Sequence, residues 1–461
     1  MAAPDTIVAP ATPPGASALA VIRLSGPFAL PILLRLCPSL DAQPESRRAI
    51  LTTARDPDTG RPLDQVLVTA FPGPGSYTGE DMVEISSHGG WLSPFLIQDA
   101  CERLGARKAE EGEFTRRAYL NGKMDLLQTE AVLDLIEGRS KALHGAAVHQ
   151  LERGLSRRIG ELREGLIELE VLLIHHLDFP EEDEPPVPIV QILKRVRVLE
   201  ETMDGLLRTA PEGELLREGA VTVLAGRPNS GKSSLFNALL GEERAIVTEV
   251  PGTTRDALEA VISLGGFPFR LVDTAGLRET EERVEKLGIE VARRYLEKSD
   301  LILFCAEAGR ALDREEERFL REVGETPVVL IRTKKDETGE GWGRDVPGEK
   351  KGGNVRATLQ LSVDTGEGLE ELKELLPSLT YRGLVSLRGD VPVITRARHS
   401  QGISRALDEV RSFRMGLEAG LPAEVAATHL RPAETALEEL LGVIPREEIL
   451  DRLFREFCIG K

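Results

Sequence analysis

The chain has 461 residues, 41% of them hydrophobic, and a formal net charge of −18 at pH 7. That length holds two to four domains of roughly 100 to 200 residues, the apolar share supplies ordinary globular cores, and the acidic balance argues against gripping nucleic acid through the overall field, since backbone binding needs lysines and arginines against the phosphates. No apolar run approaches the ~20 residues that cross a bilayer and no basic-then-apolar leader is present, so a cytoplasmic protein without membrane contact is expected.

Residues 1–120 alternate short apolar runs with Pro and Gly turns. The pattern predicts strands at 18–22, 66–70 and 83–85 and helices at 28–36 and 91–104, a small α+β domain. Cys37 and Cys101 lie among apolar neighbours there and are expected in a core, as is Cys305. With Cys458 they show no spacing for a disulfide framework or a zinc site.

From residue 121 the period changes. Leu143, Ala147, Leu151, Leu155, Ile159, Leu162, Leu166, Leu169 and Leu173 recur every three or four residues, which paints one apolar stripe along a single long helix. Asp178-Phe-Pro-Glu-Glu-Asp-Glu-Pro-Pro-Val-Pro188 ends it, because proline forbids helix and the acids repel. A second helix is predicted at 189–207. Residues 121–216 are therefore the first part of a helical domain that has too few helices of its own to bury the stripe.

Residues 217–380 read as a nucleotide-binding domain. Gly226-Arg-Pro-Asn-Ser-Gly-Lys-Ser233 follows the apolar run 221–225 and precedes an apolar helical pattern, the order strand, glycine loop, helix that a P-loop requires. The spacing lets the loop turn its N–H groups around the phosphates, with Gly226 and Gly231 taking conformations that a Cβ blocks. Asn229, Ser230, Gly231 and Ser234 are expected to touch the nucleotide, Lys232 to lie along its β and γ phosphates and Ser233 to hold Mg²⁺ by its hydroxyl.

Asp273-Thr-Ala-Gly276 follows a strand pattern at 269–272. It sets the Asp273 carboxylate at the Mg²⁺ water shell and the Gly276 N–H near the γ phosphate, with Thr274 and Ala275 between them. Thr333-Lys-Lys-Asp336 follows another at 328–331. Asp336 can accept from guanine's ring N–H and exocyclic amine, a donor pair that adenine lacks, so the nucleotide is GTP rather than ATP. Lys334 lies in the same loop, and Ser362 fits the last guanine loop.

Thr333 replaces the asparagine usual in NKxD. One hydroxyl cannot both donate to guanine N7 and tether the P-loop as a carboxamide can, so weaker guanine affinity is expected. Further strands at 257–263, 301–305 and 359–361 give a mainly parallel sheet with the nucleotide at its carboxyl edge and switch loops at 241–255 and 276–290. Many GTPases orient water with a glutamine after DxxG; here that position is Leu277, which cannot hydrogen-bond.

Residues 381–461 carry amphipathic segments at 403–413, 423–441 and 447–457 that complement the unpartnered stripe. The simplest arrangement is a GTPase domain inserted into a helical domain made from both flanks, 121–216 and 381–461.

Together these motifs resemble a translation-factor-like GTPase and, more narrowly, the MnmE (TrmE) family of tRNA-modification GTPases. The narrower resemblance rests on the P-loop, on Val250-Pro-Gly-Thr-Thr-Arg-Asp256, on Asp273-Thr-Ala-Gly-Leu-Arg278 and on the final Cys458-Ile-Gly-Lys461. It extends to Gly112-Glu-Phe-Thr-Arg-Arg-Ala-Tyr-Leu-Asn-Gly-Lys-Met-Asp125 and to Thr6-Ile-Val-Ala, and so covers nearly the whole chain. It implies a multidomain α/β protein: an α+β tetrahydrofolate-binding and dimerisation domain, a helical domain and an inserted Ras-like P-loop GTPase domain.

The resemblance also implies roles. Glu285 in switch II matches the group that activates water. K⁺ beside the β and γ phosphates would be held by Asn229, Thr248, Val250 and Thr253, and Thr254 matches the switch I ligand of Mg²⁺. Arg255 and Arg278 are arginine-finger candidates by location only. Folate contacts match Arg23, Glu84 and Lys123, with Lys461 reaching the same pocket. Cys458 beside it is either a nucleophile toward a one-carbon carrier or a buried tail cysteine.

The implied activity is GTP-driven carboxymethylaminomethyl or aminomethyl modification at C5 of a tRNA wobble uridine. 5,10-Methylenetetrahydrofolate supplies the carbon, with 5-formyltetrahydrofolate as an analogue, and a homodimer works with an FAD protein resembling MnmG (GidA). Arg388, Arg396, Arg398, Arg405, Arg411 and Arg414 form either a surface facing tRNA or the partner, or a solvated helix face. The alternative function, a ribosome-assembly or RNA-binding GTPase without chemistry of its own, shares every nucleotide motif and predicts no folate binding.

Overall fold

A computed structural model of the chain describes residues 5–41, 44–178, 188–242, 258–273, 295–337, 354–386, 392–444 and 447–461. In chain order run β1 (Ile7–Pro10), β2 (Leu19–Ser25), α1 (Ala29–Leu36), β3 (Ile50–Arg55), β4 (Pro62–Phe71), β5 (Met82–His88), α2 (Leu92–Arg103), β6 (Arg107–Lys108), α3 (Glu113–Leu120) and α4 (Leu126–Glu137). Then come α5 (Lys141–Leu151), α6 (Gly154–Asp178), α7 (Ile189–Leu207), α8 (Ala210–Glu218), β7 (Ala220–Gly226), α9 (Lys232–Glu242), β8 (Leu258–Leu264), β9 (Phe267–Asp273) and β10 (Leu301–Glu307). The rest are α10 (Arg314–Glu322), β11 (Val328–Thr333), β12 (Val355–Gln360), α11 (Leu369–Thr380), α12 (Arg382–Ser386), α13 (Ala397–Glu418), α14 (Ala423–Ala427), α15 (Leu430–Leu441) and α16 (Glu447–Arg455). Two compact units result: residues 1–133 with 437–461, and residues 134–436.

The first unit is α+β. Its six strands lie in the order β3-β4-β5-β2-β1-β6, antiparallel except for the β1–β6 pair. Ile22, Leu24, Val83 and Ile85 point to one face, where Ile32, Leu33, Leu36, Ile97 and Cys101 of α1 and α2 close the core. Side chains alternate across a strand, so Arg23 and Glu84 face the other way. Burial pushes the Cys37 and Cys101 thiols up to about 12, as expected of core cysteines. The last residues return to this unit: Leu450, Leu453, Phe454 and Phe457 pack with Leu126 and Leu133.

The second unit holds a sheet ordered β12-β11-β10-β7-β9-β8, parallel except for β8 against β9. Helices outside the nucleotide-binding segment share its core, because Leu143 of α5 and Leu216 of α8 cluster with Leu224, Leu271, Leu303 and Ile331. Ala142 N–H donates to the Gly266 carbonyl at 2.9 Å, which ties α5 to the β8–β9 turn. The buried Tyr381 hydroxyl donates to the Pro268 carbonyl at 2.6 Å; a bond of this kind contributes about 1 kcal/mol net. No described helix is long and apolar enough to cross a membrane.

Three expectations need correction. The long apolar stripe does not lie on one helix: α5 stops at Leu151 and α6 starts at Gly154, with Arg153 at φ 68° between them. The left-handed residue at the bend is Arg153, and the His149 ring packs so close to α6 that a Cβ on Gly154 would lie 2.1 Å from it. The segment 423–441 likewise divides into α14 and α15.

The third concerns the arginines near the C-terminus, of which Arg388 lies outside the described residues. Arg396 pairs with buried Asp134 at 2.6 Å, Arg411 with Asp204 at 2.8 Å, and Arg414 with Glu200 at 2.8 Å and Glu418 at 2.7 Å. Acids of the same unit offset the charge of these three guanidiniums, so they add little net positive potential to the surface.

Candidate functional site

Parallel pairing of β7, β9, β10 and β11 brings their carboxyl ends to one edge, where Gly226, Asp273, Glu307 and Thr333 stand. Gly226 has φ 137°, and a Cβ there would lie 2.2 Å from the Cys305 carbonyl oxygen, so the glycine is required by the approach of β10. Lys232 is buried at the centre of the loop, and its Nζ donates to the carbonyls of Gly226 at 3.0 Å and Arg227 at 2.5 Å. Ser233 Oγ donates to Asp273 Oδ2 at 2.9 Å. A hydroxyl and a carboxylate together at the head of a phosphate loop fit a hard cation such as Mg²⁺.

The guanine side is assembled from the same edge. Thr333 Oγ donates to the Ser230 carbonyl at 2.9 Å, so the single hydroxyl performs the tether to the P-loop. Lys334, at φ 56°, pairs with Glu307 at 2.6 Å. Asp336 is exposed on a short 3₁₀ turn, and Lys335 N–H donates to the Leu361 carbonyl at 3.2 Å, which draws the loop bearing Ser362 alongside. Asn229 takes φ 63° and is exposed beside Ser230; Gly231 has φ 84°; Ser234 is exposed on the first turn of α9. Thr248, Val250, Thr253, Thr254, Thr274, Ala275, Gly276 and Glu285 lie outside the described residues, as do Arg255 and Arg278.

The second cluster belongs to the first unit. Cross-strand register sets Arg23 opposite Glu84, and Arg23 Nε donates to Glu84 Oε1 at 2.8 Å. The chain's last residues meet them from the side. Ile459 bridges to Glu111, Phe114 N–H donates to the Lys461 carbonyl at 3.2 Å, and Gly460, at φ 96°, sits where a Cβ would fall 2.1 Å from the Pro10 carbonyl oxygen.

Lys461 lies within electrostatic reach of both Arg23 and Glu84. Burial, and then the positive charge of Arg23, hold its ammonium below the ordinary lysine value of 10.5 against the opposing pull of Glu84. Lys123 stands in the turn between α3 and α4, and its Nζ donates to the Pro74 carbonyl at 2.8 Å in the loop before β5, while Tyr77 of that loop holds its ring 5.9 Å from the Arg23 guanidinium. An acid between cations has the chemistry to fit a pterin with an anionic tail. Cys458 is exposed, which corrects the buried-tail alternative.

Sequence reasoning missed Glu307 and Gly460. Glu307 was legible only as the first charge after an apolar strand, and Gly460 only as a glycine inside a short terminal motif.

Two family models match the chain: the GTP-binding protein TrmE N-terminus over residues 6–123 and the MnmE helical domain over residues 126–458. The tRNA modification GTPase MnmE of Moorella thermoacetica is 40% identical over 462 residues, and that of Heliobacterium modesticaldum 40% over 474 residues. The Akkermansia muciniphila protein of the same name is 41% identical over 457 residues. Each alignment covers 99% of this chain and 99% of its relative. Among solved structures, the G domain of the T. maritima FeoB iron transporter is 32% identical, with a TM-score of 0.26, 34% of this chain covered and 96% of that one.

Proposed function

The chain belongs to the MnmE family of tRNA modification GTPases, and on that premise we propose that it hydrolyses GTP to drive C5 modification of a tRNA wobble uridine. The modification is carboxymethylaminomethylation or aminomethylation, with methylenetetrahydrofolate as carbon donor and an FAD protein resembling MnmG as partner. The protein works in the cytoplasm as a homodimer joined through its N-terminal domain.

In this reading Lys232 lies against the β and γ phosphates and Asp336 selects guanine. Glu285 orients the water whose oxygen attacks the γ phosphorus as the bond to the β-phosphate oxygen breaks, giving GDP and phosphate. Ser233, with Thr254, would hold Mg²⁺, and Asn229, Thr248, Val250 and Thr253 would hold K⁺. Both cations would neutralise charge that develops between the phosphates. Arg23, Glu84, Lys123 and Lys461 would hold the folate, and the exposed Cys458 would stand beside its one-carbon unit.

The observation that carries the folate half is the return of the chain's last residues to the N-terminal sheet, with Lys461 beside the Arg23–Glu84 pair. A switch without chemistry of its own has no use for that convergence. Equilibrium dialysis with labelled 5-formyltetrahydrofolate tests it. Binding to the full chain is expected, with a loss of at least tenfold in Lys461→Ala. The Lys461 ammonium is charged below its pKa, and that pKa is lowered. Affinity should therefore fall as pH rises, beginning before an ordinary lysine would titrate. Absence of folate binding, or an affinity indifferent to both pH and Lys461→Ala, removes the site.

A further inference from the structure

We infer that Arg227 is a positioning residue for nucleotide binding, and that it acts through a chain of ion pairs on α10 that fastens the P-loop to the guanine loop. The inference rests on reading Gly226 to Ser233 as the phosphate loop. Arg227 contributes its two ends to different tasks. Its carbonyl receives Lys232 Nζ at 2.5 Å, and its guanidinium reaches outward to Asp313 at 2.8 Å and Glu315 at 2.7 Å. The lysine that meets the phosphates is thus oriented by a peptide whose own side chain is held from α10.

An isolated exposed ion pair would fix little, because two long side chains lose entropy in holding one geometry. Here one of the two acids, Asp313, is already fixed. Asp313 caps α10, accepting from Glu315 N–H at 2.9 Å and Glu316 N–H at 3.0 Å, while Glu316 answers by accepting from Asp313 N–H at 2.9 Å. That reciprocal capping box removes the freedom that usually weakens such a pair.

The chain continues to the base end. Glu316, buried, is gripped by both Arg310 amino groups at 2.7 and 2.6 Å. Arg310 lies 3.8 Å from Glu307, and Glu307 pairs with Lys334 of the guanine loop at 2.6 Å. Arg332, buried in β11, donates to the Arg310 carbonyl at 3.1 Å and so holds the turn between β10 and α10. The loop for the phosphates and the loop for the base are linked through one capped helix.

The experiment measures dissociation of a fluorescent GDP analogue from the full chain, with steady-state GTP hydrolysis and thermal unfolding on the same samples. Arg227→Ala should release GDP three- to tenfold faster and raise KM by a similar factor, with kcat within twofold and an unchanged melting temperature. Arg227→Lys, which keeps the charge but not the fork, should recover part of the loss. Glu307→Ala should act in the same direction, and the double variant should fall short of the product of the single effects, as coupled sites do. Unchanged GDP release in Arg227→Ala, or a fully multiplicative double variant, overturns the inference. If the wild-type chain itself fails to bind GDP, the phosphate-loop reading falls instead.

Discussion

An Asp336→Asn variant is expected to lose GTP by about a thousandfold or more and to bind xanthosine triphosphate in its place. The size follows from the kind of discrimination involved: a site built to hydrogen-bond a substrate rejects a mismatched partner by unpaired buried polar groups, which costs far more than a missing methylene. In the proposed complex the Asp336 carboxylate would offer two acceptors to guanine's ring N–H and exocyclic amine. Asparagine turns one acceptor into a donor that opposes the amine, whereas the C2 carbonyl of xanthine matches it. Neighbouring geometry should survive, since Thr333 and Lys335 hold their loop through the Ser230 and Leu361 carbonyls and not through Asp336. Competition binding with GTP and xanthosine triphosphate checks the result; retained GTP preference means that another group reads the base.

Glu285→Ala is expected to lower GTP turnover by about two to four orders of magnitude, the range for removing a positioned proton-transfer or water-orienting group. Nucleotide affinity should change little, because the substitution leaves the P-loop N–H groups and Lys232, the groups expected to cradle the phosphates, in place. Leu277 stands in the position of the usual glutamine and cannot supply the missing oxygen. Single-turnover hydrolysis beside a GTP binding isotherm separates the two effects. Turnover preserved in the variant assigns the water to another residue, and affinity lost in parallel assigns Glu285 to binding.

What was legible in the sequence depended on how local the physics was. The P-loop could be read because its glycines, lysine and serine act within eight consecutive residues, and the structure shows the close approach of β10 that Gly226 answers. Strands of the second sheet were legible from their apolar runs. In the first sheet β1 and β6 span only four and two residues, too short for alternation to register.

Non-local arrangements were out of reach. Arg23 and Glu84 are 61 positions apart, and only strand register makes them neighbours. The same limit explains the arginines near the C-terminus, which look like a basic face until Asp134, Asp204 and Glu200 arrive from distant helices. A periodic stripe also cannot reveal a break that keeps its phase, as at Arg153.

Nucleoside analysis of tRNA from cells that lack this protein tests the central claim most directly. The account predicts wobble uridines without their C5 substituent, restored by the wild-type gene and not by the Glu285→Ala or Lys461→Ala variants. Fully modified wobble uridines in the deletion strain would contradict it.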